Sequence, residues 1–147
     1  MIRENRSPTT TRVVKVPMAT SLVTRKSPHT FQVTLERFER AIRAAGATMF
    51  ARVDHATAAA SVGLALRPTI LFLFGNPKAG TPLMQEAQTI GLDLPLRVLV
   101  WQDGNGQVLL TFRNPAAMFA DYAISEDDAR ILSLGSALRN VTDQAVT

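Results

Sequence analysis

Seven successive residues, Gly75-Asn76-Pro77-Lys78-Ala79-Gly80-Thr81, bring together the types that an anion-binding loop uses. Two glycines let the main chain approach a ligand closely, and Lys78 supplies a point charge. Thr81 as a cap, with Pro82 behind it, predicts a helix start whose free N–H groups and dipole attract negative charge. The G-x-x-x-x-G spacing of a P-loop is present, but Thr81 stands where that motif requires lysine. Asn76, Lys78, Gly80 and Thr81 are therefore the candidate ligand-binding residues, and a small anion is the ligand they suit. The competing reading is a tight loop that glycine and proline merely shape, with Asn76 bonding its own backbone.

Asp54-His55 is the second place where chemistry could sit. A carboxylate beside an imidazole at a strand end suits general acid–base work. If the strands Thr48–Asp54 and Thr69–Phe74 run parallel as neighbours, their ends bring Asp54 and His55 towards Asn76 and Lys78. The competing reading makes Asp54 the cap of the following helix and leaves His55 half exposed. The chain has no cysteine, which removes disulfides, thiolate metal sites and cysteine nucleophiles together. With His29 and His55 the only histidines, a multi-histidine zinc site is excluded too. No metal is expected, and no residue pattern names a cofactor.

The elements that must hold these residues are readable from periodicity. Leu22–Ser27 predicts a strand. Phe31, Leu35, Phe38, Ile42 and Ala45 recur at spacings of four and three, which predicts a helix with Thr30 as its cap and Gly46 as its left-handed stop. A strand over Thr48–Asp54, an alanine-rich helix over Ala56–Leu66 and an apolar strand over Thr69–Phe74 suggest a parallel, right-handed βαβ crossover. A short helix from Thr81 to near Gly91 comes next. Asp103-Gly104-Asn105-Gly106 then signals a hairpin between Leu96–Gln102 and Gln107–Phe112, whose Trp101 and Phe112 could pair across the strands. Asn114-Pro115 starts a helix to about Ala123, and Ser125 starts another carrying Ile131, Leu134, Leu138 and Val141 on one stripe. Tyr122, near a helix end, reads as a packed ring, and Met49, Met84 and Met118 read as core gap-fillers. The fold expected is α+β, a mixed β-sheet with helices packed on it. One domain over residues 21–147 follows a basic arm, 1–20, in which Val13–Val16 could add an edge strand.

Charge narrows the partners. The 147 residues carry a net charge of +4, yet residues 1–26 hold six Lys/Arg and one acid, so the remainder is within one charge of neutral. No basic face or aromatic–arginine alternation marks the body as a nucleic-acid module. The apolar run Ile70–Phe74 is far short of the roughly 20 residues a membrane helix needs. No secretory signal is legible, since Lys15 and Pro17 interrupt the one candidate core. A cytoplasmic domain without membrane or nucleic-acid partners is the expectation.

Four segments carry a family likeness: Phe50-Ala51-Arg52-Val53-Asp54-His55, Val62-Gly63-Leu64-Ala65-Leu66-Arg67-Pro68-Thr69, Phe74-Gly75-Asn76-Pro77-Lys78-Ala79-Gly80-Thr81-Pro82-Leu83-Met84 and Asp93-Leu94-Pro95-Leu96. Together they resemble the domain-of-unknown-function 302 family, from about Ser27 to about Tyr122. The resemblance implies a small α+β domain that associates as a homodimer, and it implies no activity, substrate or cofactor. The basic leader and the helix after Ser125 look like additions to the family form. Two function classes result: a homodimeric domain binding a small anion over Gly75–Thr81, or an enzyme using Asp54 and His55 on a substrate anchored by Asn76 and Lys78. A scaffold or interaction domain without a pocket is the third.

Overall fold

Thr30 accepts a hydrogen bond from the Val33 N–H and opens the helix α1, Phe31–Ala44, which Gly46 (φ 70°) stops. This computed structural model describes residues 21–147; the expected basic arm and its Val13–Val16 strand lie outside them. The inner face of α1 (Leu35, Phe38, Ala41, Ile42) is buried, and the Phe38 ring meets Phe72 and Phe74 edge-on at centroid distances of 5.2 and 5.7 Å. Burying one such side chain contributes about 1.5–3 kcal/mol, so this stripe fixes the helix on the sheet.

The sheet has five strands in the order β1-β5-β4-β3-β2, where β1 is Leu22–Ser27, β2 Thr48–Asp54, β3 Thr69–Gly75, β4 Leu96–Gln102 and β5 Val108–Arg113. The α+β expectation and the hairpin hold. The parallel crossover does not: β2 pairs with β3 antiparallel, as does every other neighbour, so the sheet is not mixed. A parallel return needs a helix that packs back across the sheet. The helix α2, His55–Ser61, is only seven residues long and buries none of them, so it cannot serve. Its alanines offer no apolar stripe, and the chain turns round at the same sheet end.

Antiparallel pairing splits the sheet into two unlike faces. Ile70, Phe72, Phe74, Val98, Val100, Val108, Leu110 and Phe112 point to the helices and are buried. Leu71, Leu73, Leu99 and Trp101 alternate with them and are half-buried, so β3 is covered on one face rather than two. Trp101 lies opposite Leu109 and Phe112 opposite Val23, on different faces; the expected Trp101–Phe112 pair is therefore absent, and the indole N–H donates to the Thr111 hydroxyl instead at 2.9 Å.

The last helix, α5 (Ala129–Val146), is part of the core. Asp128 rather than Ser125 caps it, and Ile131, Leu134, Leu138 and Val141 are buried. It packs along α1, and Arg25 of β1 pairs with its Asp143. Arg130 at its start bonds both Asp128 (2.8 Å) and Glu86 (2.5 Å).

Candidate functional site

The segment Gly75–Thr81 is mostly helix, not loop. Asn76 caps the helix α3, Pro77–Glu86, with Pro77 as its first residue, and Pro82 lies inside. The expected start at Thr81 is thus five residues late. Two cap-plus-proline pairs compete here, and the earlier wins because the Asn76 side chain accepts from the Lys78 N–H at 3.0 Å. The N–H groups of Ala79 and Gly80 both donate to the Asn76 carbonyl, at 2.9 and 3.1 Å, and Pro77 has none. Every main-chain donor of that first turn is engaged. Lys78 is exposed, with no ion-pair partner among the described residues.

What lies beside this turn is an apolar cavity of about 210 Å³. Gly80, Thr81 and Met84 of α3 form one wall, Leu94, Pro95 and Leu96 another, and Phe50 and Gly75 close it. Phe50 reaches it through a β-bulge: the register between β2 and β3 slips between Met49 and Ala51, leaving Phe50 unpaired and re-aimed. Gly80 is closely approached, because a Cβ there would stand 3.3 Å from Leu94 Cδ1, tighter than ordinary van der Waals contact, and 3.9 Å from Met84 Cε. Asn76 and Thr81 are the only side chains with hydrogen-bonding groups on this lining.

Asp54 and His55 lie elsewhere. Asp54 pairs with Ile70 while Gly75 pairs with Thr48, so five residues of β3, about 17 Å at the usual strand rise, separate the two ends. The parallel arrangement that would have brought them to Asn76 and Lys78 is the one the sheet does not adopt. Asp54 caps α2 through the Thr57 N–H at 2.9 Å, and that bond holds its carboxyl below the ordinary carboxylate range. His55 is exposed and lines a different opening.

That opening is a cleft of about 410 Å³ where β4 and β5 part company. Their ladder runs from Gln102↔Val108 to Leu99↔Thr111 and stops. Continued by one alternate pair, it would set Arg97 opposite Arg113, and like charges directly opposite are destabilising. Both arginines line the cleft with His55, Asp93, Leu22, Leu71, Leu99 and Thr111, and Met118 and Leu138 form its floor. Arg97 donates to the Leu92 carbonyl (3.1 Å) and Arg113 to the Ser21 hydroxyl (2.9 Å); neither meets a carboxylate among the described residues. The Asp93 carboxylate accepts the Tyr122 hydroxyl at 2.5 Å, which pushes the phenol pKa up. Counting outward from the hairpin turn would have found this arginine pair in the sequence; Phe50 could not have been found, because the bulge that aims it has no local signature.

Among the described residues no helix is long and apolar enough to cross a membrane, and no group of three or more His, Asp or Glu could hold a metal ion. A family model, "Domain of unknown function DUF302", matches residues 23–145. It therefore takes in α5, which is no addition to the family form. The "Fluoride-specific ion channel FluC 1" of Brucella suis biovar 1 is 42% identical over 134 residues, covering 88% of this chain and 53% of that protein. A protein of the same name from Brucella abortus biovar 1 is also 42% identical, with 50% of its length covered. The chain spans about half the length of these curated relatives. The crystal structure of an uncharacterized conserved protein DUF302 from Bacillus stearothermophilus superposes with a TM-score of 0.80 at 18% identity, over 86% of this chain and 99% of that one, a likeness of fold.

Proposed function

This chain belongs to the DUF302 family, and from that membership, which brings a fold and no activity, we propose that it is a small-ligand-binding domain whose ligand sits against the start of α3. The observation that carries the reading is the cavity of about 210 Å³ beside Gly80, Thr81 and Met84. An engineered cavity of about 150 Å³ with apolar walls takes up benzene, so a space of this order suits a single ring or a branched aliphatic group. Asn76 and Thr81 supply the few polar contacts that orient such a ligand. The ligand here is apolar rather than anionic, because the amides that would have cradled an anion are held by the Asn76 side chain and carbonyl.

Self-association belongs to the same proposal. Its surface is the helix-free face of the sheet, where Phe50 (53% exposed), Val53, Leu73 and Trp101 stand uncovered or half-covered. An antiparallel sheet facing water would carry polar residues at most of those positions.

Indole is the probe for the cavity, with binding followed by the chemical shifts of Met84 and Leu94 methyl groups. Wild-type protein should show saturable shifts at those methyls. Gly80→Leu, which fills the space between Leu94 and Met84, should weaken binding at least roughly tenfold. Undiminished binding to that variant would remove the cavity as the site. Light scattering should give twice the chain mass; a monomer at high micromolar concentration would remove the self-association part alone.

A further inference from the structure

We propose that the cleft at the parted ends of β4 and β5 is a second binding site, which takes an organic carboxylate with an aliphatic tail. It adjoins the cavity beside α3, with which it shares the Leu96 side chain.

Three observations meet there. First, the sheet is open: beyond Leu99↔Thr111 the two strands are unpaired, so residues of both faces, Leu71 and Leu99 from one and Leu138 from the other, line a single space. A volume of about 410 Å³ falls in the range typical of small-molecule pockets. Second, Arg97 and Arg113 both line this space, and each gives one N–H bond to a neutral oxygen. A guanidinium has five N–H donors in a planar fork, which matches the two oxygens of a carboxylate. An anion bound by both would neutralise charge that pairs with no carboxylate among the described residues. Third, the rest of the lining divides by chemistry. Leu22, Leu71, Leu99, Met118 and Leu138 offer an apolar bed, while His55 and Thr111 add polar contacts near the mouth.

The acid in the cleft, Asp93, is already bonded to the Tyr122 hydroxyl. The head group pairs with the guanidinium N–H groups and the tail runs over the leucines. Tail burial makes this ligand larger and greasier than a simple inorganic ion.

The experiment is titration calorimetry of the full chain with octanoate, octanamide and inorganic phosphate. Octanoate should bind at least roughly tenfold more tightly than octanamide, which keeps the tail and loses the charge. Arg97→Gln and Arg113→Gln should each weaken octanoate by about the same factor, and the double variant should abolish binding. Gly80→Leu should leave octanoate binding unchanged, which separates this site from the cavity. Equal binding of octanoate and octanamide to wild-type protein overturns the proposal without any variant. Wild-type affinity in Arg97→Gln/Arg113→Gln overturns it also, as does phosphate binding more tightly than octanoate with the same arginine dependence. Should Arg113→Gln fail to fold, Arg97→Gln and the wild-type ligand series still decide.

Discussion

Two of the openings in this domain meet at Leu96 and differ in chemistry. Beside α3 the helix start is fully capped: Asn76 engages the Lys78, Ala79 and Gly80 amides, and an apolar cavity remains. In the neighbouring cleft, two arginines line an unpaired stretch of strand, and neither pairs with a carboxylate among the described residues. The comparison teaches that a lysine next to a helix N-terminus is not an anion site once the cap has taken the donors. What attracts an anion is charge whose partners are missing.

The largest test of this contrast removes the anchor of α3. Leu83 is fully buried, and Leu83→Ala should cost about 2–5 kcal/mol in a denaturant titration. Indole binding should fall with it while octanoate binding stays. A loss below about 1 kcal/mol would mean that α3 is not held as described. A smaller change sharpens the same point: Asn76→Ala should cost about 1 kcal/mol by removing the cap, whereas Lys78→Ala should stay within about 0.5 kcal/mol and leave octanoate affinity unaltered. If Lys78→Ala weakened octanoate, the assignment of anion binding to the arginine cleft would fail.

The smallest effect is in acid. Arg130 joins α5 to α3 through Glu86 and also bonds Asp128, which holds the Asp128 carboxyl down to about 2. A depressed folded-state value adds stability that is fully present above the ordinary carboxylate range and is lost as pH falls from about 4 towards 2. Both side chains are only partly buried, so solvent screening keeps the change modest. Melting curves of Asp128→Asn across that window should be flatter with pH than those of the wild type, and an identical slope would count against the pairing.

Much of the fold was legible because local rules decide it. The 3.6-residue stripe of α1 with Thr30 and Gly46 at its ends, the strand Thr48–Asp54, and the Asp-Gly-Asn-Gly hairpin all appear where periodicity and turn chemistry put them. The site was less legible. Thr81-Pro82 and Asn76-Pro77 are both valid helix starts, and the choice between them turns on one Asn76 hydrogen bond. Asp54 and His55 do not meet Asn76 and Lys78, and the sequence could not show this because strand direction is not a local property. A seven-residue helix with nothing to bury reads the same in sequence whether it crosses the sheet or not.

By itself, then, the order of residues determined which segments are helices and strands, which faces are apolar, and that metal chemistry by cysteine is excluded. It also set Arg97 and Arg113 at equal distances from the hairpin turn. The tertiary structure alone decided that β2 and β3 run antiparallel, that a bulge aims Phe50 at α3, and that β4 and β5 separate before the two arginines meet. The physical reason is the range of the forces involved. Capping and periodicity act over a few residues, whereas strand direction, bulges and unneutralised charge depend on what the distant parts of the chain leave uncovered.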